Sequence, residues 1–178
     1  MKWKLLSSEY LTKHRYFTAR RDRCEMMNGH IVDPYFVVEL PSSACALAIT
    51  EEGKVIIARQ YRHPIGEVIP EIPGGFIDEN ENPDHAIGRE LMEETGYTFP
   101  DIKFLGKVAA NPGVLTGYTY LYLARGGKKI NDQKLDDNEE IEVSLVSLDE
   151  LRKMMDNNEI IQALHVSCIH YALKELDK

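Results

Sequence analysis

The amino-acid sequence predicts an α+β protein with mixed β-sheets and helices packed on them. Three observations carry this. Strand-like runs lie on both sides of one strongly capped helix, two more helical segments close the chain, and an Asn-Gly pair near the N-terminus marks a hairpin.

Each element has its own local reason. Phe17 to Met26 and Ile31 to Leu40 are β-rich runs, and Asn28-Gly29 between them is a type I′ turn signal. Ala44–Thr50 and Lys54–Tyr61 form the next strand pair, joined by Glu51-Glu52-Gly53. The prolines and glycines of Val68-Ile69-Pro70-Glu71-Ile72-Pro73-Gly74-Gly75 limit strand structure there to short pieces. Asn82-Pro83 opens a helix, with Asn as cap and Pro at the first helical position, and Gly96 closes it. Strands follow at Ile102–Ala110, Tyr118–Leu123 and Ile141–Ser147. The polar stretch Gly126–Asn138 reads as a loop. Ser147-Leu148-Asp149-Glu150 is a capping box that starts a helix, and a last helix is expected from about Glu159 to Leu176.

The length of 178 residues suits one domain, or one domain with an appended element. The division expected is an N-terminal hairpin extension over 1–41 and a main domain over 42–178. The balance of 21 Lys+Arg against 29 Asp+Glu gives a formal charge of −8, which argues against nucleic-acid or anionic-membrane binding. No apolar run approaches the ~18 residues of a membrane span, and the first residues are too polar for a signal peptide. Cys24, Cys45 and Cys168 form neither a disulfide framework nor a CxxC pair, so a reducing cytoplasm is expected.

The helix after Asn82 carries the chemistry. Glu90 and Glu94 fall one turn apart on one face, with Glu93 beside them. Like charges at that spacing repel, and the helix C-terminus disfavours them further. A hard divalent cation would remove the repulsion, and clustered carboxylates are what Mg²⁺ or Mn²⁺ prefers. Ile87 and Leu91 lie on another face and suit a core. A solvated acidic face is the bland alternative.

The surrounding residues decide between them. Gly75, Glu81, Arg89, Glu90, Glu93, Glu94 and Gly96 match every fixed position of G-x5-E-x7-R-E-U-x-E-E-x-G-U (U a bulky apolar residue, Leu91 at the first), the Nudix box, over residues 75–97. At residue frequencies of about 5–7%, seven such matches arise by chance with a probability on the order of 10⁻⁹ per start position. The chain thus resembles the Nudix hydrolases. That resemblance implies a mixed sheet sandwiched between helices and hydrolysis of a nucleoside diphosphate linked to another moiety. It assigns Glu90 and Glu94 as principal metal ligands and Glu93 as a ligand or supporting group. Glu81 would assist catalysis, and Arg89 would hold the carboxylates.

The flanks are similar to the ADP-ribose pyrophosphatase and nucleotide-sugar branch. The matching residues are Gln60-Tyr61-Arg62, Glu71-Ile72-Pro73-Gly74-Gly75, and Asn111-Pro112-Gly113, whose proline lies 16 residues past Gly96. By this resemblance Arg62 reaches the substrate's phosphates or ribose, Glu71 lies at the pocket, and the Gly74 carbonyl binds metal. A late-loop carboxylate in Asp136-Asp137-Asn138-Glu139-Glu140 would act as general base or ligand, with Glu139 the best match and Glu140 the reserve. Val114-Leu115-Thr116-Gly117 departs from the branch's pattern of a Ser or Thr followed by a polar or acidic residue, and leaves room for a linked moiety other than the ribose of ADP-ribose.

Adenine would be gripped by aromatic stacking, with Phe17 and Tyr35 the foremost candidates beside Tyr16 and Phe36; Trp3 ranks lower. His63, His85, His165 and His170 show no metal-ligand spacing and read as ordinary residues. A homodimer is expected, because the N-terminal hairpin exceeds a minimal Nudix domain and Phe36, Val37, Val38 and Leu40 need burial. The alternatives are hydrolysis of GDP-mannose, NADH, FAD or dinucleoside polyphosphates, a non-catalytic nucleotide sensor, or an interaction domain.

Overall fold

A computed structural model describes all residues, Met1–Lys178. The chain divides into two units, Met1–Ser42 with Ala109–Tyr118, and Ser43–Val108 with Thr119–Lys178.

In the first unit, β1 (Lys4–Thr12), β2 (Thr18–Glu25) and β3 (Ile31–Glu39) form an antiparallel sheet in that order. The expected hairpin is β2–β3, and β1 adds a strand before it. The turn differs from the type I′ expectation. Gly29 alone takes positive φ (81°), Gly29 N donates to Met26 O at 3.0 Å, and Met26 N donates to His30 O at 2.9 Å. This is a three-residue loop ending in a left-handed glycine. Asn28 acts through its side chain instead, accepting from His30 N at 3.0 Å.

Polar pairs hold this sheet together. Glu9 faces Arg21 across β1–β2 and accepts from its Nη2 at 2.6 Å. Asp22, 6% exposed, accepts from Ser8 Oγ at 2.6 Å and from Arg20 Nε at 3.0 Å, so its buried charge is compensated. Arg20 also pairs with Glu39. The segment after Ala109 joins β3: Val38 N donates to Val114 O, and the Tyr35 hydroxyl donates to Gly113 O at 2.7 Å. Val37, Val38 and Leu40 are half-buried, while Phe36 stays exposed, as do Leu5, Leu6, Tyr10, Leu11, Tyr16 and Phe17.

The second unit is a helix–sheet–helix sandwich. Its strands are β4 (Ser43–Thr50), β5 (Val55–Arg62), β6 (Glu67–Glu71), β7 (Gly74–Phe76), β8 (Tyr97–Thr98), β9 (Asp101–Val108), β10 (Thr119–Lys129) and β11 (Ile141–Val146). The central order is β11-β5-β4-β10-β8; β6 adds to β5, β7 to β4 and β9 to β10. The β4–β10 pair is parallel and the others are antiparallel. Pro70 is tolerated because β6 pairs on one side only.

Strand alternation builds two cores. On one face Cys45, Leu47, Val55, Ile57, Leu121 and Leu123 meet Leu151 and Met154 of α2 (Leu148–Asp156) and Cys168, Ile169 and Ala172 of α3 (Ala163–Leu176). On the other face Ala44, Ala46, Ala48, Ile56, Tyr122 and Ala124 meet Ile87 and Leu91 of α1 (Pro83–Thr95). The three alanines of β4 let α1 approach the sheet closely. The Tyr122 hydroxyl donates to Asp84 at 2.7 Å and fixes the start of that helix. Tyr97, at the last apolar position of the box, packs into this second core beside Phe99.

Helix boundaries follow their caps. Asn82 accepts from Asp84 N at 2.8 Å, and Ser147 and Glu150 form the expected capping box. Gly96 closes α1 at φ 76°, where an added Cβ would lie 2.1 Å from Asn131 O. Two boundaries differ from expectation. β10 continues through Gly126-Gly127 to Lys129 because Lys128 and Lys129 pair with Thr98 and Tyr97, and Gly127 makes room for the Phe99 ring. α3 begins at Ala163, not Glu159, because the Gln162 side chain caps it and Ile160 is buried before it starts.

Candidate active site

Helix α1 presents its carboxylates from a fixed seat. Ile87 and Leu91 are fully buried, which turns Glu90 and Glu94 toward β7. Gly74 N donates to Glu94 Oε2 at 2.9 Å. A Cβ on Gly75 would lie 2.5–2.6 Å from the Glu90 carboxyl group, so a glycine is required for that carboxylate to lie against the strand. Gly74 and Gly75 thus serve the two ligand candidates in different ways.

Arg89 gathers the other carboxylates. Its Nε and Nη2 donate to Glu81 at 3.0 and 2.9 Å, and its Nη1 donates to Glu90 and Glu93 at 2.9 and 3.0 Å. Nη2 also reaches Phe76 O at 3.2 Å. This fork is geometry that only a guanidinium supplies. Hydrogen bonding to Arg89 brings Glu81 down to about 2, and Arg89 itself is raised by its carboxylates. Burial pushes Glu90 up to about 7; Arg89 offsets this, while Glu93 and Glu139 add to it. Burial likewise pushes Glu94 up to about 8, opposed by the Gly74 N–H and Arg62 and reinforced by Glu90 and Glu139.

The late loop reaches the same place. Gln133 Nε2 donates to Glu94 O at 2.6 Å and to Ile141 O at 3.1 Å, and Lys134 N donates to Glu93 O at 2.8 Å. These bonds tie the loop to the end of α1. Glu139, half-buried, accepts from Asp136 N at 3.2 Å and is felt by both Glu90 and Glu94; Glu140 is exposed. Gln133 was missing from the sequence expectations, because a lone glutamine in a polar loop carries no local signal.

Arg62 and Glu71 form a pair at the same site. Arg62 Nη2 donates to Glu71 Oε2 at 2.6 Å, and Nε lies 3.1 and 3.3 Å from the two oxygens. Glu71 is 2% exposed, whereas the Arg62 side chain is about two-fifths exposed. His165, read from sequence as ordinary, is buried behind Glu71 with its Nδ1 4.0 Å from Glu71 Oε1. Tyr35 and Phe17 belong to the first unit, where Tyr35 holds Gly113 and Phe17 is exposed.

The donor set suits a hard divalent cation. Glu90 and Glu94 are desolvated carboxyls raised by burial and by neighbouring carboxylates, which a dication reverses. No three of the acidic side chains converge on one point; Arg89 holds Glu81, Glu90 and Glu93 to itself. Glu90 and Glu94 are the buried carboxyls of the site, and the Glu139 charge raises both.

Comparison with known proteins agrees with this arrangement. Residues 39–164 match the NUDIX domain, and residues 3–38 match the nucleoside diphosphate sugar hydrolase N-terminal domain. The chain is 33% identical over 179 residues to an ADP-ribose pyrophosphatase of Bacillus subtilis, covering 97% of this chain and 96% of the relative. It is 31% identical over 169 residues to a methanol dehydrogenase activator of Bacillus methanolicus, covering 94% and 91%. Its fold matches a crystal structure of an ADP compounds hydrolase with a TM-score of 0.86 at 21% identity, covering 99% and 95%. A complete box, a matching fold and relatives aligned along nearly their whole length place this chain in the Nudix hydrolase family.

Proposed function

We propose that the protein hydrolyses the pyrophosphate bond of ADP-ribose or a similar nucleoside diphosphate sugar, releasing a nucleoside monophosphate and a sugar phosphate. One observation carries the reading: two buried carboxyls, Glu90 and Glu94, stand on one face of α1 against Gly74 and Gly75 of β7. The relative aligned over nearly its full length and the match of residues 3–38 support the substrate class.

Glu90, Glu94, Glu93 and the Gly74 carbonyl would hold Mg²⁺ or Mn²⁺. Bound there, the cation would neutralise non-bridging phosphate oxygens and acidify a water. Glu139 takes the proton of the attacking water as its oxygen joins phosphorus and the bond to the bridging oxygen breaks. Arg89 keeps Glu90 and Glu93 oriented, with Glu81 as its anchor. Arg62 meets the phosphates or ribose, and Glu71 orients Arg62. Aromatic side chains of the N-terminal strands, Phe17 and Tyr35 foremost, would stack on the base, partly from the partner copy of the dimer.

The working form proposed is a cytoplasmic homodimer with residues 1–41 as its N-terminal extension and 42–178 as the hydrolase domain. The exposed Leu5, Leu6, Tyr10, Leu11 and Phe36 support the dimer, and the three free cysteines support a reducing compartment. No helix is long and apolar enough to cross a membrane. Light scattering at micromolar concentration checks the dimer; a monomer refutes it. A panel of ADP-ribose, ADP-glucose, GDP-mannose, NADH, FAD and dinucleoside polyphosphates, with and without Mg²⁺ or Mn²⁺, tests the activity. Nucleotide sugars should give the highest kcat/KM, and absence of any metal-dependent product overturns the proposal.

A further inference from the structure

Behind the Arg62–Glu71 pair lies a group that the reaction has not yet used. His165 stands in the first turn of α3 and is 6% exposed. Its Nδ1 is buried without a hydrogen-bond partner. The neighbouring acceptor is Glu71 Oε1 at 4.0 Å, about 1 Å beyond hydrogen-bond length. A buried nitrogen left this way is destabilising, and folded chains seldom keep one without a reason. Burial and the Arg62 charge hold His165 neutral, down at about 3. A neutral ring can still carry a proton on Nδ1 and donate it, without adding a second cation beside Arg62.

The contacts of Glu71 show what the nitrogen awaits. Arg62 occupies both oxygens, but its hold on Oε1 is the longest contact of the pair, at 3.3 Å. Arg62 is the exposed partner and Glu71 the buried one. Any anion that draws the guanidinium outward leaves Glu71 buried with an oxygen unsatisfied. His165 Nδ1 faces that oxygen.

We propose that His165 is a positioning residue for substrate binding: it donates from Nδ1 to Glu71 Oε1 as Arg62 turns from Glu71 toward the substrate's phosphates. This rests on the reading of Arg62 as a phosphate contact. His165 touches no substrate; it makes the release of Arg62 less unfavourable.

The test is steady-state kinetics on ADP-ribose with a double-mutant cycle. His165→Leu should raise KM about tenfold, the size of one lost hydrogen bond to a charged group, with kcat within about threefold. His165→Asn, whose amide can donate from nearly the same place, should recover most of the loss. In an Arg62→Ala background, His165→Leu should have no further effect on KM. Should His165→Leu fail to fold, His165→Met takes its place. An unchanged KM, a fall confined to kcat, or an equal rise in the Arg62→Ala background overturns the proposal. If Arg62→Ala itself leaves KM unchanged, the phosphate-contact reading of Arg62 fails, and the role of His165 falls with it.

Discussion

The backbone N–H of Gly74 donates to Glu94 Oε2 at 2.9 Å, tying the most deeply buried acidic group of α1 to the strand beside it. The bond fixes one carboxyl oxygen and leaves the other for chemistry. Glu94→Gln keeps size and can keep the Gly74 contact, but it removes the charge. Turnover should fall at least a hundredfold with an unchanged circular dichroism spectrum. Because burial opposes the charged form, the metal-free variant should melt no lower than the parent at pH 8. Near-normal hydrolysis would sink the mechanism.

Stability should respond to pH in a defined sense. Glu90 and Glu94 are raised to about 7 and about 8, so the folded metal-free chain holds protons there that the unfolded chain has released. The stability linked to these groups is complete below the ordinary carboxyl range and is lost as pH rises through 7 and 8. His165, lowered to about 3, acts oppositely, but only below its unfolded value near 6.5. Between about pH 6.5 and 9, therefore, Tm in EDTA should fall. Mg²⁺ should raise Tm more at pH 8.5 than at pH 6.5, because cation and proton compete for the same carboxyls. Melting curves with and without metal check both trends.

Gly75→Ala probes fit rather than charge. Its methyl would press on the Glu90 carboxyl at 2.5–2.6 Å. We expect kcat/KM to fall by about tenfold or more, with Mg²⁺ affinity weakened in parallel. Isothermal titration with Mg²⁺ reads the second effect, and unaltered metal binding would contradict the assigned role of Glu90.

The late loop offers a comparison between neighbours. Glu139 is half-buried and raises both Glu90 and Glu94, whereas Glu140 is exposed. Glu139→Gln should lower kcat about a hundredfold or more, and Glu140→Gln should stay within about threefold. The reverse order would reassign the general base.

Local signals made much of this protein legible. The caps of α1 and the spacing of its acids are contained in one short segment, so Asn82, Gly96, Glu90 and Glu94 could be placed from sequence. β1 went unseen because its residues are exposed and do not alternate, so pairing with β2 alone defines it. The glycines at 126 and 127 read as a break, yet Phe99, distant in sequence, makes the second a packing requirement. His165 looked ordinary for the same reason: its neighbour Glu71 lies on a strand far earlier in the chain. Gln133 likewise acquires its role only once the loop meets α1.

The alanines of β4 carry one last implication. Ala44, Ala46 and Ala48 set how deeply α1 seats on the sheet, and Glu90, Glu93 and Glu94 travel with that helix. The strand acts as a datum for the carboxylates that α1 carries. Enlarging one β4 alanine would therefore lift the whole carboxylate set at once.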